Sequence, residues 1–160
     1  MVSVLGFELM LFTQDMKDLI EIFENHEVKY ALVGGFAVNY YGYSRLTQDI
    51  DLLIFPSKEN AKNTIKALTE FGFGKAGIPV EYFEQPGSAI HLGVEPNRID
   101  LLTHLVGVDN KVIFSNVQRV MLENIKINII AYTDLIKAKR SSKRLRDQAD
   151  AEELEKNRKS

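Results

Sequence analysis

The chain contains no cysteine, which excludes a disulfide framework and any thiolate metal site and leaves carboxylates and imidazoles as the available metal ligands. The same absence makes a cytoplasmic protein the default expectation. A strong charge of either sign is also missing. With 20 Lys and Arg against 22 Asp and Glu the net charge is -2, so no whole-molecule field points to a nucleic acid or a membrane, and any such partner must be attracted locally. Long hydrophobic runs are lacking too. The apolar start "MVSVLGFELMLF" is too short to span a bilayer, carries Glu8, and has neither a basic leader nor a small-residue cleavage site. It is expected to pack in the core or against a second copy in a homo-oligomer. No repeat, low-complexity tract or linker interrupts the chain, and 160 residues at 45% hydrophobic content suffice for one core, so a single domain over residues 1–160 is expected.

What is present is an alternation of helical and strand patterns. Met16, Leu19, Ile20 and Phe23 recur at helical spacing and predict an amphipathic helix over residues 15–25. Residues 29–33 read as a buried strand ended by Gly34 and Gly35, and "FAVNYYG" as a short helix stopped by Gly42. A second buried strand covers residues 48–55 and closes at Pro56. "SKENAKNTIKALTEFGF" predicts a third helix, with Ser57 as its cap and Ala61, Ile65, Leu68 and Phe71 as its apolar positions. "AIHLGVEPNRIDLLTHL" alternates on both sides of Pro96-Asn97. With a two-residue turn there, residues 89–95 and 98–103 form a hairpin in which Glu95 faces Arg98, Gly93 faces Asp100, and His91 lies diagonally beside Asp100. "VIFSNVQRVML" and "IKINIIA" predict short strands between residues 112 and 130. The tail predicts two helices, with Thr133 as a cap and a break near Ser141-Ser142. The expected fold class is therefore α+β: a small mixed sheet with helices packed on it and two C-terminal helices.

Two features carry chemistry. A Gly-Gly pair between a strand and a helix bares backbone N–H groups that phosphate oxygens can approach without meeting a Cβ, although an isolated pair is more commonly just a tight turn that needs positive φ. Asp49 and Asp51, one residue apart on a strand, project from the same face, and two carboxylates held that close repel unless a cation lies between them. Magnesium suits such oxygen ligands, because it takes the rest of its shell from water and substrate phosphates. Alone, D-x-D also fits the solvated start of a strand. A third carboxylate, Asp100, decides the matter: it sits amid apolar neighbours in "RIDLLTHL", where acids are rare unless paired or metal-bound.

"GG", thirteen residues, then "DID", with an acid on a later strand, resembles the nucleotidyltransferase signature of the DNA polymerase beta superfamily. More narrowly, "VGGFAVNYYGYSRLTQDIDLLI" together with "DLIKAKRSSKRLRDQADAEEL" is similar to the small prokaryotic nucleotidyltransferase-like proteins related to the AbiEii toxins. The resemblance implies that Gly34 and Gly35 hold the triphosphate of an NTP and that Asp49 and Asp51 ligate one or two magnesium ions. Asp100 would complete the second metal site or take the proton of the incoming hydroxyl. Arg45 and Thr47 match an R-x-[ST]-x-D pattern and would contact phosphate or position Asp49. The superfamily usually has Gly-Ser where this chain has Gly34-Gly35, which removes a hydroxyl. The implied activity is transfer of a nucleoside monophosphate to a hydroxyl acceptor, whether RNA, protein or small molecule, with release of pyrophosphate. The alternative is a catalytically weak member that binds nucleotide and acts through a partner, as in a toxin–antitoxin pair.

Lys137, Lys139, Arg140, Lys143, Arg144 and Arg146 crowd ten residues of the tail. Such runs are commonly solvated helix faces. In the relatives a lysine followed after a turn by R-x-[KR]-D lies near the nucleotide, which implies Lys139 and Arg144 as triphosphate or acceptor contacts. Asp147 and Asp150 share a helix face and are expected to bond these basic residues rather than a metal. "GFGKAG", residues 72–77, satisfies G-x-G-x-x-G literally but follows a helix and leads into Pro79, so a loop is expected instead of a dinucleotide site. His26, His91 and His104 show no metal spacing.

Overall fold

The computed structural model describes residues 12–93 and 98–159 and, by backbone alone, residues 2–4 and 7–9; side chains are described for 12–93 and 98–158. Strands β1 (Val2–Val4) and β2 (Phe7–Leu9) pair antiparallel. The expected packing role of the apolar start lies outside the described side chains. Helix α1 (Gln14–Asn25) begins where Thr13 Oγ1 accepts the Met16 N–H at 3.2 Å. It buries the four apolar residues that its periodicity marks, Met16, Leu19, Ile20 and Phe23. At about 1.5–3 kcal/mol for each fully buried large side chain, that face fixes the helix on the core.

The central sheet has six strands in the order β5-β6-β4-β3-β8-β7. Strand β3 (Tyr30–Val33) leads directly into the short helix α2 (Gly34–Tyr40), and β4 (Ile50–Ile54) returns antiparallel to β3, with Asp51 opposite Val33. Both strands are almost wholly buried, as central strands covered on two faces must be. Helix α3 (Lys58–Leu68) is capped by Ser57, whose Oγ accepts the Asn60 N–H. Its buried face runs through Asn60, Ala61, Thr64, Ala67 and Leu68, while Ile65 and Phe71 pack against the core partly exposed. The helix is rolled toward Asn60 because that side chain is a stitch. Its Nδ2 donates to the carbonyls of Lys29 and Phe55, and its Oδ1 accepts the Lys29 N–H, tying the start of β3 to the end of β4. After α3 the chain makes a π-helical turn, Thr69–Phe73, and a 3-10 turn, Gly74–Ala76, so "GFGKAG" does not link a strand to a helix.

Strand β5 (Ala89–Leu92) pairs antiparallel with β6 (Ile99–Leu102), and β6 lies parallel to β4. The register corrects the expected hairpin. His91 stands directly opposite Asp100, and Leu92 opposite Ile99, so Gly93 does not face Asp100. The chain leaves the strand at Gly93, whose φ is +80°, and the connection to Arg98 is longer than two residues. The expected turn at Pro96-Asn97 and the pairing of Glu95 lie outside the described residues. A shift of two keeps every side chain on its face, which is why His91 and Asp100 still share one.

A second correction concerns "VIFSN". It lies in a helix, α4 (Asn110–Asn116), started by Asp109, whose Oδ1 accepts the Lys111 N–H at 2.7 Å. The strands follow it: β7 (Gln118–Leu122) and β8 (Ile125–Ile129) form a hairpin through Glu123 and Asn124, both with positive φ, the twist a two-residue hairpin turn needs. Strand β8 runs parallel to β3. Helices α5 (Tyr132–Ser141) and α6 (Leu145–Lys159) complete the chain, with the expected break between them. Thr133 does not cap α5; Ala131 occupies that position, with no side-chain cap, and Thr133 lies inside the helix. The architecture is the expected mixed sheet with helices packed on it. Among the described residues no helix is long and apolar enough to cross a membrane.

Candidate active site

Where β3 ends, Gly34 turns the chain with φ +69°, a left-handed conformation that side chains rarely adopt. A Cβ there would fall 2.0 Å from Asp51 Oδ2, so the backbone passes against the carboxylate only because the side chain is absent. A Cβ on Gly35 would fall 2.5 Å from Thr47 Oγ1, which places the threonine hydroxyl over the glycine pair.

The three carboxylates come together through strand register. Asp51 on β4 and Asp100 on β6 are direct partners in a parallel pair and project to one face, while Asp49, which lies just before β4 and not within it, lines the same cavity. Asp100 is only 6% exposed. Burial, the neighbouring Asp100 charge, its hydrogen bond and the Asp49 charge push the Asp51 carboxyl up to about 7, although Lys139 opposes the shift. Asp49 Oδ1 is buried and has no hydrogen-bond partner among the described residues.

Two further residues stand beside the acids: His91, which the expected hairpin already set diagonally next to Asp100, and Arg98, which the sequence reading did not mark as a site residue. Arg98 Nε donates to Asp100 Oδ1 at 2.9 Å and Nη2 to Asp100 Oδ2 at 3.3 Å, while Nη2 also lies 3.3 Å from Asp49 Oδ2. His91 Nδ1 lies 2.6 Å from Asp100 Oδ1. An arginine two residues before a buried acid on the same strand shares its face, and that spacing was the available clue.

The opposite wall is cationic. Lys139 on α5 pairs with Asp147 at 2.9 Å and with Asp150 at 3.1 Å. Asp150, 1% exposed, also accepts a hydrogen bond from Arg45 Nη2 at 3.1 Å, and Arg45 Nε lies 3.0 Å from its Oδ1 as an ion pair without hydrogen-bond geometry. The expectation that Asp147 and Asp150 bond basic residues therefore holds, with Arg45 as a partner the reading of the tail did not include. Burial works against ionisation of Asp147. Hydrogen bonds from Ser142 and Lys139 and the charges of Lys139 and Arg144 outweigh it and hold the carboxyl below its usual range. Gly34, Gly35, Arg45, Thr47, Asp49, Asp51, Asp100, Lys139 and Arg144 all line one cavity of about 570 Å³, together with Arg98, Arg146 and an apolar rim of Leu46, Leu105 and Val106. That volume lies in the range of small-molecule sites.

Hard oxygen donors, one of them a buried oxygen without a partner, suit a divalent cation in chemistry. As they stand, no three His, Asp or Glu side chains among the described residues converge closely enough to form its shell. The Arg98 guanidinium bridges Asp49 and Asp100 in that position.

The architecture is shared with solved nucleotidyltransferases. The lincosamide antibiotic adenylyltransferase LnuA, in its lincomycin-bound form, superposes with a TM-score of 0.56 at 17% identity, over 90% of this chain and 96% of that one. A Thermotoga maritima protein assigned as a nucleotidyltransferase superposes with a TM-score of 0.57 at 14% identity, over 88% of each chain. At such identities the likeness is one of fold. No curated protein sequence matches the chain significantly. The sequence profile described as "Nucleotidyl transferase AbiEii toxin, Type IV TA system" matches residues 18–138, which span the glycine pair, all three carboxylates and most of α5. The chain belongs to the AbiEii family of nucleotidyltransferases.

Proposed function

We propose that the protein transfers a nucleoside monophosphate from an NTP to a hydroxyl acceptor with the help of magnesium, releasing pyrophosphate. The observation that carries this reading is the register pairing of Asp51 with Asp100, beside Asp49 and against the Gly34 backbone, in one cavity with a cationic far wall. Asp49, Asp51 and Asp100 would hold one or two Mg²⁺ ions, which supply charge stabilisation for the attacking and leaving oxygens of an in-line displacement. The chain's own groups do the rest. The N–H groups at Gly34 and Gly35, with the Thr47 hydroxyl over them, would donate to the phosphate oxygens at close range. Lys139 and Arg45, held by Asp150, and the exposed Arg144 provide the positive charge that a leaving pyrophosphate requires. Asp100, with His91 Nδ1 2.6 Å from its Oδ1, would either complete the second metal site or take the acceptor's proton.

The family fits a role as the toxin of a toxin–antitoxin pair. The test is incubation of the purified protein with each of four labelled NTPs, magnesium, and separated RNA, protein and small-molecule fractions of a cell extract. Transfer of label to one fraction, lost in Asp51→Asn with the fold intact, is expected. Full activity in Asp51→Asn overturns the site. Saturable NTP binding without transfer to any fraction favours the nucleotide-binding reading instead.

A further inference from the structure

We infer that Arg98 is a resident counter-ion of the acid cluster, which competes with the divalent cation for Asp49 and Asp100 and must leave them when the ion binds. This deepens the proposed metal-dependent function and rests on it. Three observations carry it. The guanidinium contacts two of the three carboxylates at once, Asp100 through two nitrogens and Asp49 through one. Its position is fixed by the fold, since the Arg98 carbonyl accepts the Ile50 N–H at 3.1 Å where β6 joins β4, so the side chain begins at the mouth of the site. The side chain is one-third exposed and lines the cavity, which gives it space to swing aside without unpacking the core.

The physical reason for such a device lies in the acids themselves. Three carboxylates crowded at partly buried positions repel, and folding them together without a counter-charge is costly. An arginine fork satisfies several carboxylate oxygens at once and keeps its charge at any physiological pH. Its contacts are also those an incoming cation would take, so the same residue that steadies the metal-free fold lowers the affinity for metal. By linkage, whatever draws the guanidinium away, such as the phosphates of a bound nucleotide, strengthens metal binding by the same factor.

The experiment uses Mn²⁺ alone as the probe, titrated by electron paramagnetic resonance against the full chain and its Arg98→Gln variant, with circular dichroism to establish folding. The variant is expected to bind Mn²⁺ at least about tenfold more tightly than the parent. It should also be less thermostable without metal and regain more stability on adding Mn²⁺. Equal or weaker binding by the folded variant overturns the inference while leaving the metal site standing. Absence of binding by both proteins overturns the metal reading and this inference with it. Should Arg98→Gln fail to fold, the parent protein gives the answer through the NMR signal of the Arg98 Nε–H during a Mg²⁺ titration. A shift that saturates with the metal supports displacement, and a signal unmoved at saturating Mg²⁺ overturns it.

Discussion

Removing the Asp150 carboxylate should cost more stability than any exposed charge in the chain. The side chain is 1% exposed and holds Arg45 at 3.0 and 3.1 Å and Lys139 at 3.1 Å. In Asp150→Ala the guanidinium of Arg45 remains largely buried without this partner, whereas Lys139 keeps Asp147 at 2.9 Å. Breaking a buried pair from one side costs about 3–5 kcal/mol, most of it the desolvation of the stranded ion. For a chain of this size that amounts to a fall of roughly 6–20 °C in Tm. Urea denaturation at equilibrium, with a thermal scan beside it, measures both. The control replaces the pair: Arg45→Met with Asp150→Leu removes both charges and should recover most of the loss, to within about 1–2 kcal/mol of the parent. A loss below about 1 kcal/mol in Asp150→Ala, or a double variant no better than the single, would refute the claim that this pair is buried and mutually dependent.

Without metal, the raised Asp51 carboxyl, at about 7, makes the fold hold a proton that the unfolded chain releases near 3.8. Its contribution is fully present at pH values below 3.8 and is lost as the pH rises through about 7, amounting to up to about 4 kcal/mol. Urea unfolding in EDTA across pH 5–8 should therefore show stability falling with pH in the parent and a flatter profile in Asp51→Asn, which should be the more stable protein at pH 8. Gly34→Ala combines positive φ with a Cβ placed 2.0 Å from Asp51 Oδ2, and is expected to lose at least about 2 kcal/mol in a denaturation series and to displace the carboxylate from its register. Gly93→Val meets a φ of +80° outside the strand, so it should lose about 1–2 kcal/mol instead of gaining from strand propensity, as thermal unfolding will show.

The elements whose signal is local were legible in the sequence. Ser57 sits before apolar residues at helical spacing, and the glycine pair ends an unbroken apolar run; each of these marks a boundary the structure keeps. The clustering of Asp49, Asp51 and Asp100 was also legible, because acids in strands otherwise made of Ile and Leu need a reason to be there. What escaped depends on distance or on competing patterns. "VIFSN" carries β-branched residues in a row, yet Asp109 in front of it caps a helix, and capping with tertiary packing prevailed over strand propensity. The hairpin register was assigned from a turn length that the pattern alone does not fix. Asp150 and Arg45 are 105 residues apart, and nothing in either neighbourhood names the other. Asn60 reads as an ordinary polar helix residue until the carbonyls of Lys29 and Phe55 are seen against it.

The span between Arg45 and Asp150 also sets an order of events in biosynthesis. The glycine pair and the acids at the start of β4 leave the ribosome early, while the carboxylate that fixes Arg45 and Lys139 arrives 105 residues after the arginine. At ordinary elongation rates that is a lag of about 5–20 s. During it the growing chain carries Arg45 without the buried carboxylate that holds it, so the side of the cavity built on Asp150 forms only once the last helix has been made.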